Sequence, residues 1–135
     1  MTHLDSSFLI DLSREISSER LGPAFDFIEV LPEDEELCVS IHVLCEMRAG
    51  AELSKRAIVH HEALDQFLAN LRVRVPDEPF ALVYARVAAA MERSGQRISA
   101  MDLLIATAAL IDDAPLVTGN VKDFSRVPGL RVLKY

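Results

Sequence analysis

MTHLDSSFLIDL, residues 1–12, holds two periodicities in one short run. Thr2 to Leu4 suit a strand ending near Asp5, and Phe8, Leu9, Ile10 and Leu12 form the apolar face of a helix over about residues 7–17. A strand that runs directly into a helix is the opening of a βα unit. Such units assemble into parallel sheets covered by helices.

The same alternation continues outward from this stretch. LGPAFDFIEVL (21–31) reads as a helix with Pro23 in its first turn and Phe25, Ile28 and Leu31 on one stripe. The acidic run Glu33 to Glu36 is a solvated loop, because adjacent acids point in different directions. LCVS (37–40) is a short buried strand ending at Ser40, which caps a helix over IHVLCEMRAG (41–50) that Gly50 closes or interrupts. AELSKRAIVHHEALDQFLANL (51–71) is helical in period through Leu53, Ala57, Leu64, Phe67, Leu68 and Leu71, and RVRVP (72–76) alternates as a strand. A helix from about Glu78 stops at Gly95, a second runs from Ser99 to about Ile111, APLVT (114–118) is a strand, NVKDFSRVPGL (120–130) a loop or short turn, and LRVLKY (130–135) a last strand. The expectation is one domain over residues 1–135, with a mainly parallel sheet between helices.

Composition narrows the function classes. Half of the residues are hydrophobic and the net charge is −7, so loose electrostatic binding to nucleic acid is excluded and any such chemistry must rest on local features. No uncharged apolar stretch reaches the 18 or so residues of a membrane span, and no leader pattern opens the chain; a cytoplasmic protein with no membrane partner is expected. Cys38 and Cys45 are neither a C-x-x-C pair nor a disulfide framework and read as small buried hydrophobes. His60 and His61 diverge on a helix, and His3 and His42 have no recognisable zinc spacing with the cysteines. No Walker loop, dinucleotide fingerprint or nucleophile elbow occurs.

Four carboxylates remain, each with an ordinary explanation. Asp5 suits a helix N-cap; Glu46 suits an exposed helical position, although Val43, His42 and Gly50 give it little polar company. Ser99-x-x-Asp102 resembles a capping box, and Asp123 sits among turn residues with Thr118 and Asn120 before it. Together they fall at strand ends or a helix N-terminus, where open α/β sheets bind ligands. Four clustered carboxylates repel unless a cation balances them, and oxygen-only ligands suit Mg²⁺ or Mn²⁺. Two such ions, each adding +2, raise the formal total from −7 to −3, and a phosphodiester substrate is then no longer excluded.

The segments LDSSFLIDL, SIHVLCEMRAGA and SGQRISAMDLLIATAAL…LVTGNVKDFSRVPGLRV together resemble the PIN domains, and among them the VapC-type ribonuclease toxins of toxin–antitoxin modules. The resemblance implies a three-layer α/β/α fold, a homodimer, a cognate antitoxin that occupies or borders the site, and Mg²⁺- or Mn²⁺-assisted hydrolysis of RNA. Position by position it implies Asp5, Glu46, Asp102 and Asp123 as the acidic quartet, Asp5 and Asp102 foremost as metal ligands, and Thr118 and Asn120 as supporting polar residues. The family often carries Arg between that Thr and Asn, where this chain has Gly119. Arg48, Arg97, Lys122 and Arg126 are candidate phosphate contacts by proximity to the acids. Two other functions fit the same fold: a non-catalytic interaction module whose acids cap helices, and a structure-specific DNA nuclease.

Overall fold

β1 (Thr2–Leu4) lies at the middle of a five-stranded sheet in the computed structural model, which describes residues 1–135. Its companions are β2 (Leu37–Ser40), β3 (Arg72–Arg74), β4 (Leu116–Val117) and β5 (Val132–Leu133), in the order β3-β2-β1-β4-β5 with every pairing parallel. The helices are α1 (Ser6–Ser17), α2 (Pro23–Glu29), α3 (Ile41–Glu52), α4 (Ala57–Leu68), α5 (Glu78–Arg93), α6 (Ala100–Ile111) and α7 (Val121–Phe124). This is the expected α/β/α architecture. None of the helices is long and apolar enough to cross a membrane.

The strand order positions the site. After β1 the chain builds outward to β2 and β3 on one side, then returns to place β4 and β5 on the other. The order therefore reverses between β1 and β4, and the crevice beyond the carboxyl ends of those two strands is where such sheets bind ligands. Asp5 follows β1 and Thr118 follows β4.

The core is built from the inward faces of these elements. Leu4, Val39, Leu116 and Val117 come from the sheet, Phe8, Leu9 and Leu12 from α1, and Leu103, Ile105, Ala106 and Ala109 from α6. α6 is the most buried helix, and its alanines let it lie close to its neighbours. At its start Ser99 Oγ accepts the Asp102 N–H at 3.1 Å, and at the start of α3 Ser40 Oγ accepts the Val43 N–H at 3.2 Å. Both caps satisfy backbone donors that have no partner in the helix.

Several boundaries differ from the periodicity. α3 runs through Gly50 to Glu52: glycine costs a helix about 1 kcal/mol, and the burial of Ala51 one residue on offsets it. Of the helix expected over 51–71, residues 51–52 close α3 and Ala57–Leu68 form α4; between them, at 53–56, Ser54 Oγ accepts the Arg56 N–H at 3.1 Å and draws the backbone out of the helix. Leu53, expected on the apolar face, is consequently exposed, and Leu31 lies beyond the end of α2. Cys38 is buried as expected, but Cys45 is exposed on the outer side of α3. The short turn after β4 is the helix α7.

Candidate active site

Asp5 occupies the N-cap position of α1, yet its side chain makes no capping bond. Its carboxylate is 4% exposed and turns instead toward the end of β4, where Thr118 Oγ1 donates to Oδ2 at 2.7 Å. Ser7 Oγ donates to the same oxygen at 2.8 Å. The backbone holds the residue between strand and helix: its N–H donates to the Val117 carbonyl at 3.0 Å and its carbonyl accepts the Leu9 N–H at 3.1 Å. A cap alone does not require two hydroxyl donors from separate elements.

Glu46 reaches the same crevice from α3, with Ser6 Oγ donating to its Oε2 at 2.7 Å. Burial pushes its carboxyl above the ordinary range; the Ser6 bond opposes this, and the charges of Asp5 and Asp102 add to the rise. Asp102, in the first turn of α6, is raised in the same way, by burial first and then by Asp5 and Asp123, against the hydrogen bond of Ser99. No basic side chain balances either of these two acids. They are an electrostatic cost to the fold, the condition under which a divalent cation binds.

Asp123, on α7, completes the group. Asn120 Nδ2 donates to its Oδ2 at 3.1 Å, and the Arg126 guanidinium lies 3.4 Å from Oδ1. Thr118, fully buried, accepts the Asn120 N–H on Oγ1 at 2.9 Å and so links the two supporting residues to Asp5. The six residues expected at the site are linked by these hydrogen bonds and by the mutual charges of their acids. No three of the four acids bring ligand atoms within 4.8 Å of one another. Mg²⁺ keeps several waters and takes one or two carboxylates from the protein, so this open arrangement of hard oxygens fits it.

The basic residues divide. Arg48 is turned away, pairing with Asp65 and donating to the His61 carbonyl at 3.1 Å. Arg126 is spent on Asp123 and on the Arg97 carbonyl, 3.0 Å away. Arg97 is exposed and lies 3.4 Å from Glu92. Lys122 is exposed and forms no ion pair, which leaves it free to meet an anion beside the site.

Ser6 and Ser7 were not anticipated, although they hold Glu46 and Asp5. Their signal was present: two hydroxyls directly after a strand-ending aspartate. A second cluster, on the opposite side of β1 from Leu4, was hidden by sequence distance. His3, Cys38 and Asp112 bring ligand atoms within 4.8 Å of one another. Asp112 Oδ2 takes a hydrogen bond from His3 Nε2 at 2.7 Å and from Arg74 Nε at 2.8 Å, and the same guanidinium pairs with Oδ1. Burial would raise the Asp112 carboxyl, but Arg74 and His3 pull it below its ordinary value. Burial pushes the Cys38 thiol up to about 12, so it is a thiol and not a thiolate. The cluster is closed by the Arg74–Asp112 ion pair, to which His3 adds a hydrogen bond.

Residues 3–130 match the PIN domain family. The chain is 32% identical over 106 residues to the ribonuclease VapC2 of Rickettsia felis, covering 78% of this chain and 79% of that one. It is 30% identical over 131 residues to ribonuclease VapC1 of Haemophilus influenzae, covering 95% and 92% respectively. The crystal structure of VapBC2 from Rickettsia felis bound to a DNA fragment from its promoter superposes with a TM-score of 0.88 at 26% identity, over 99% of this chain and 98% of that chain. With a parallel sheet whose order reverses beside Asp5 and Thr118, a family match over residues 3–130 and relatives that cover 78% and 95% of it, the chain belongs to the PIN domain family, among the VapC ribonucleases.

Proposed function

We propose that this protein is a Mg²⁺- or Mn²⁺-dependent endoribonuclease, the toxin of a toxin–antitoxin pair, which hydrolyses RNA phosphodiester bonds at Asp5, Glu46, Asp102 and Asp123. The observation that carries the reading is the pair of uncompensated acids, Glu46 and Asp102, facing Asp5 at the sheet's switch point. Asp5 and Asp102 are the metal ligands in this reading. A divalent ion held there would supply Lewis acidity and a water of lowered pKa. Ser7 and Thr118 fix one oxygen of Asp5; the other, Oδ1, has only the long 3.5 Å contact of Ser6 Oγ and is the oxygen offered to the cation. Ser6 orients Glu46, and Asn120 with Arg126 orients Asp123, so either acid can direct the attacking water. Lys122 offers a contact to an RNA phosphate.

An apolar groove beside Glu46 suits the antitoxin of this reading. Leu9, Ile10, Met47, Leu64 and Phe67 line an apolar channel between α1, α3 and α4 that opens onto that carboxylate. A segment of the antitoxin seated there would border the acids, and a homodimer of the toxin belongs to the same reading. The helix-capping alternative is disfavoured by Asp5, whose carboxylate caps nothing.

The test is cleavage of structured RNA by the purified, antitoxin-free protein with Mg²⁺ or Mn²⁺, beside a DNA hairpin of the same sequence. RNA cleavage that disappears in folded Asp102→Asn is the expected result. Equal cleavage by that variant defeats the reading, and cutting of the hairpin DNA alone replaces it with the DNA nuclease.

A further inference from the structure

Gly119 has its identity from a neighbour and not from its backbone. Gly95 and Gly129 adopt left-handed φ values of 69° and 77°, a region that favours glycine, whereas Gly119 does not. A Cβ built at Gly119 would instead stand 3.0 Å from the Tyr135 hydroxyl and 3.6 Å from Ser7 Oγ.

The phenol is firmly held in that place. Its ring meets Phe8 edge to face, with centroids 4.8 Å apart, and its hydroxyl donates to Asp11 Oδ2 at 2.7 Å. Both anchors are on α1. On the other side, the Gly119 N–H donates to Ser7 Oγ at 2.9 Å, and Ser7 in turn donates to Asp5. The 118–120 turn is therefore enclosed between the Tyr135 phenol and the Asp5 carboxylate, with no side chain of its own at residue 119 to separate them.

We propose that Tyr135 is a positioning residue of the site: its phenol is the stop against which the turn at 118–120 rests, and so sets the Ser7 and Thr118 hydroxyls on Asp5. The inference rests on the proposed reading of that site as metal-dependent. Loss of a partner outside a metal's own ligands costs such sites about 10- to 100-fold in affinity or activity.

The experiment is a cycle of Gly119→Ala, Tyr135→Phe and the double variant, with Tyr135→Ala alongside, read by Mn²⁺ affinity and by kcat and KM for RNA cleavage. Circular dichroism and thermal unfolding establish that each variant is folded. Gly119→Ala pushes the methyl onto the hydroxyl and is expected to weaken Mn²⁺ binding and lower kcat by about tenfold with little change in KM, as is Tyr135→Ala. Tyr135→Phe removes the oxygen that the methyl meets, so the double variant returns to the level of Tyr135→Phe alone. Losses that multiply in the double variant, or unchanged Mn²⁺ affinity in Tyr135→Ala, overturn the positioning role. A wild-type protein that binds no Mn²⁺ and cuts no RNA defeats the proposed function itself, which is a separable result, and the positioning role falls with it.

Discussion

Thr118 Oγ1 donates to Asp5 Oδ2 at 2.7 Å, joining the ends of two adjacent parallel strands that are 113 residues apart in the chain. The threonine is fully buried and the aspartate nearly so. Its hydroxyl also accepts the Asn120 N–H, so one side chain fixes both the first acid and the turn that leads to the last. Thr118→Val keeps the shape and removes both bonds. The expected cost is about 1–3 kcal/mol of stability, from a buried carboxylate oxygen left with Ser7 alone and a backbone donor that loses its partner, together with a 10- to 100-fold loss of metal-dependent cleavage. Unfolding in urea and RNA cleavage on the same preparation check both; a variant as active as wild type rejects the link.

Asp102 gives a prediction of opposite signs. Its carboxyl is raised by burial and by its acidic neighbours, with no cation to balance it. Asp102→Asn should therefore raise the melting temperature of the metal-free protein by roughly 2–4 °C while abolishing cleavage, a gain of stability at the expense of function. Calorimetry in EDTA decides this: a lower melting temperature would show that the carboxylate is needed for folding.

The Arg74–Asp112–His3 network bears on stability and not on the site. Removing the guanidinium in Arg74→Met leaves Asp112 buried with His3 alone, at an expected cost of about 2 kcal/mol; Arg74 is partly exposed, which discounts the larger penalty of a fully buried pair. Cleavage per folded molecule should be unchanged. A stability equal to wild type in denaturant would remove the network from the account.

His3 sets the direction of a pH effect. Burial holds its imidazole below the ordinary value, against the opposing pull of Asp112, so the unfolded chain takes up the proton at a higher pH than the folded one. Stability is then complete above about pH 6.5 and declines as pH falls below that value. Asp112, held below its own ordinary value, contributes stability that is lost at lower pH still, below about 4. Thermal unfolding between pH 7 and 5 should show a decline that His3→Gln reduces; an unchanged profile in that variant assigns the decline elsewhere.

Lys122 is the free cation of the group. Lys122→Ala should weaken RNA binding across sequences and lower the salt slope of log K by about 1, as loss of one phosphate contact does. Arg126→Ala should instead lower kcat, because its partners are Asp123 and the Arg97 carbonyl. Identical effects of the two substitutions on affinity would contradict that division.

By itself the sequence determined whatever depends on neighbours along the chain. The βα alternation, the caps at Ser40 and Ser99, and the place of Asp102 in the first turn of α6 are all read from local periodicity and capping, because a helix or strand chooses its residues within a few positions. Even there tertiary packing moved some boundaries: Gly50 stays helical beside the buried Ala51, and Leu53 ends in solvent. Only the folded chain decided that Asp5 ignores its cap and faces Thr118, that His3 meets Cys38 and Asp112, and that Tyr135 stands where a side chain at residue 119 would be. These contacts close loops of tens to more than a hundred residues. Their entropic cost is met by burying the whole core, which no single segment of sequence reports.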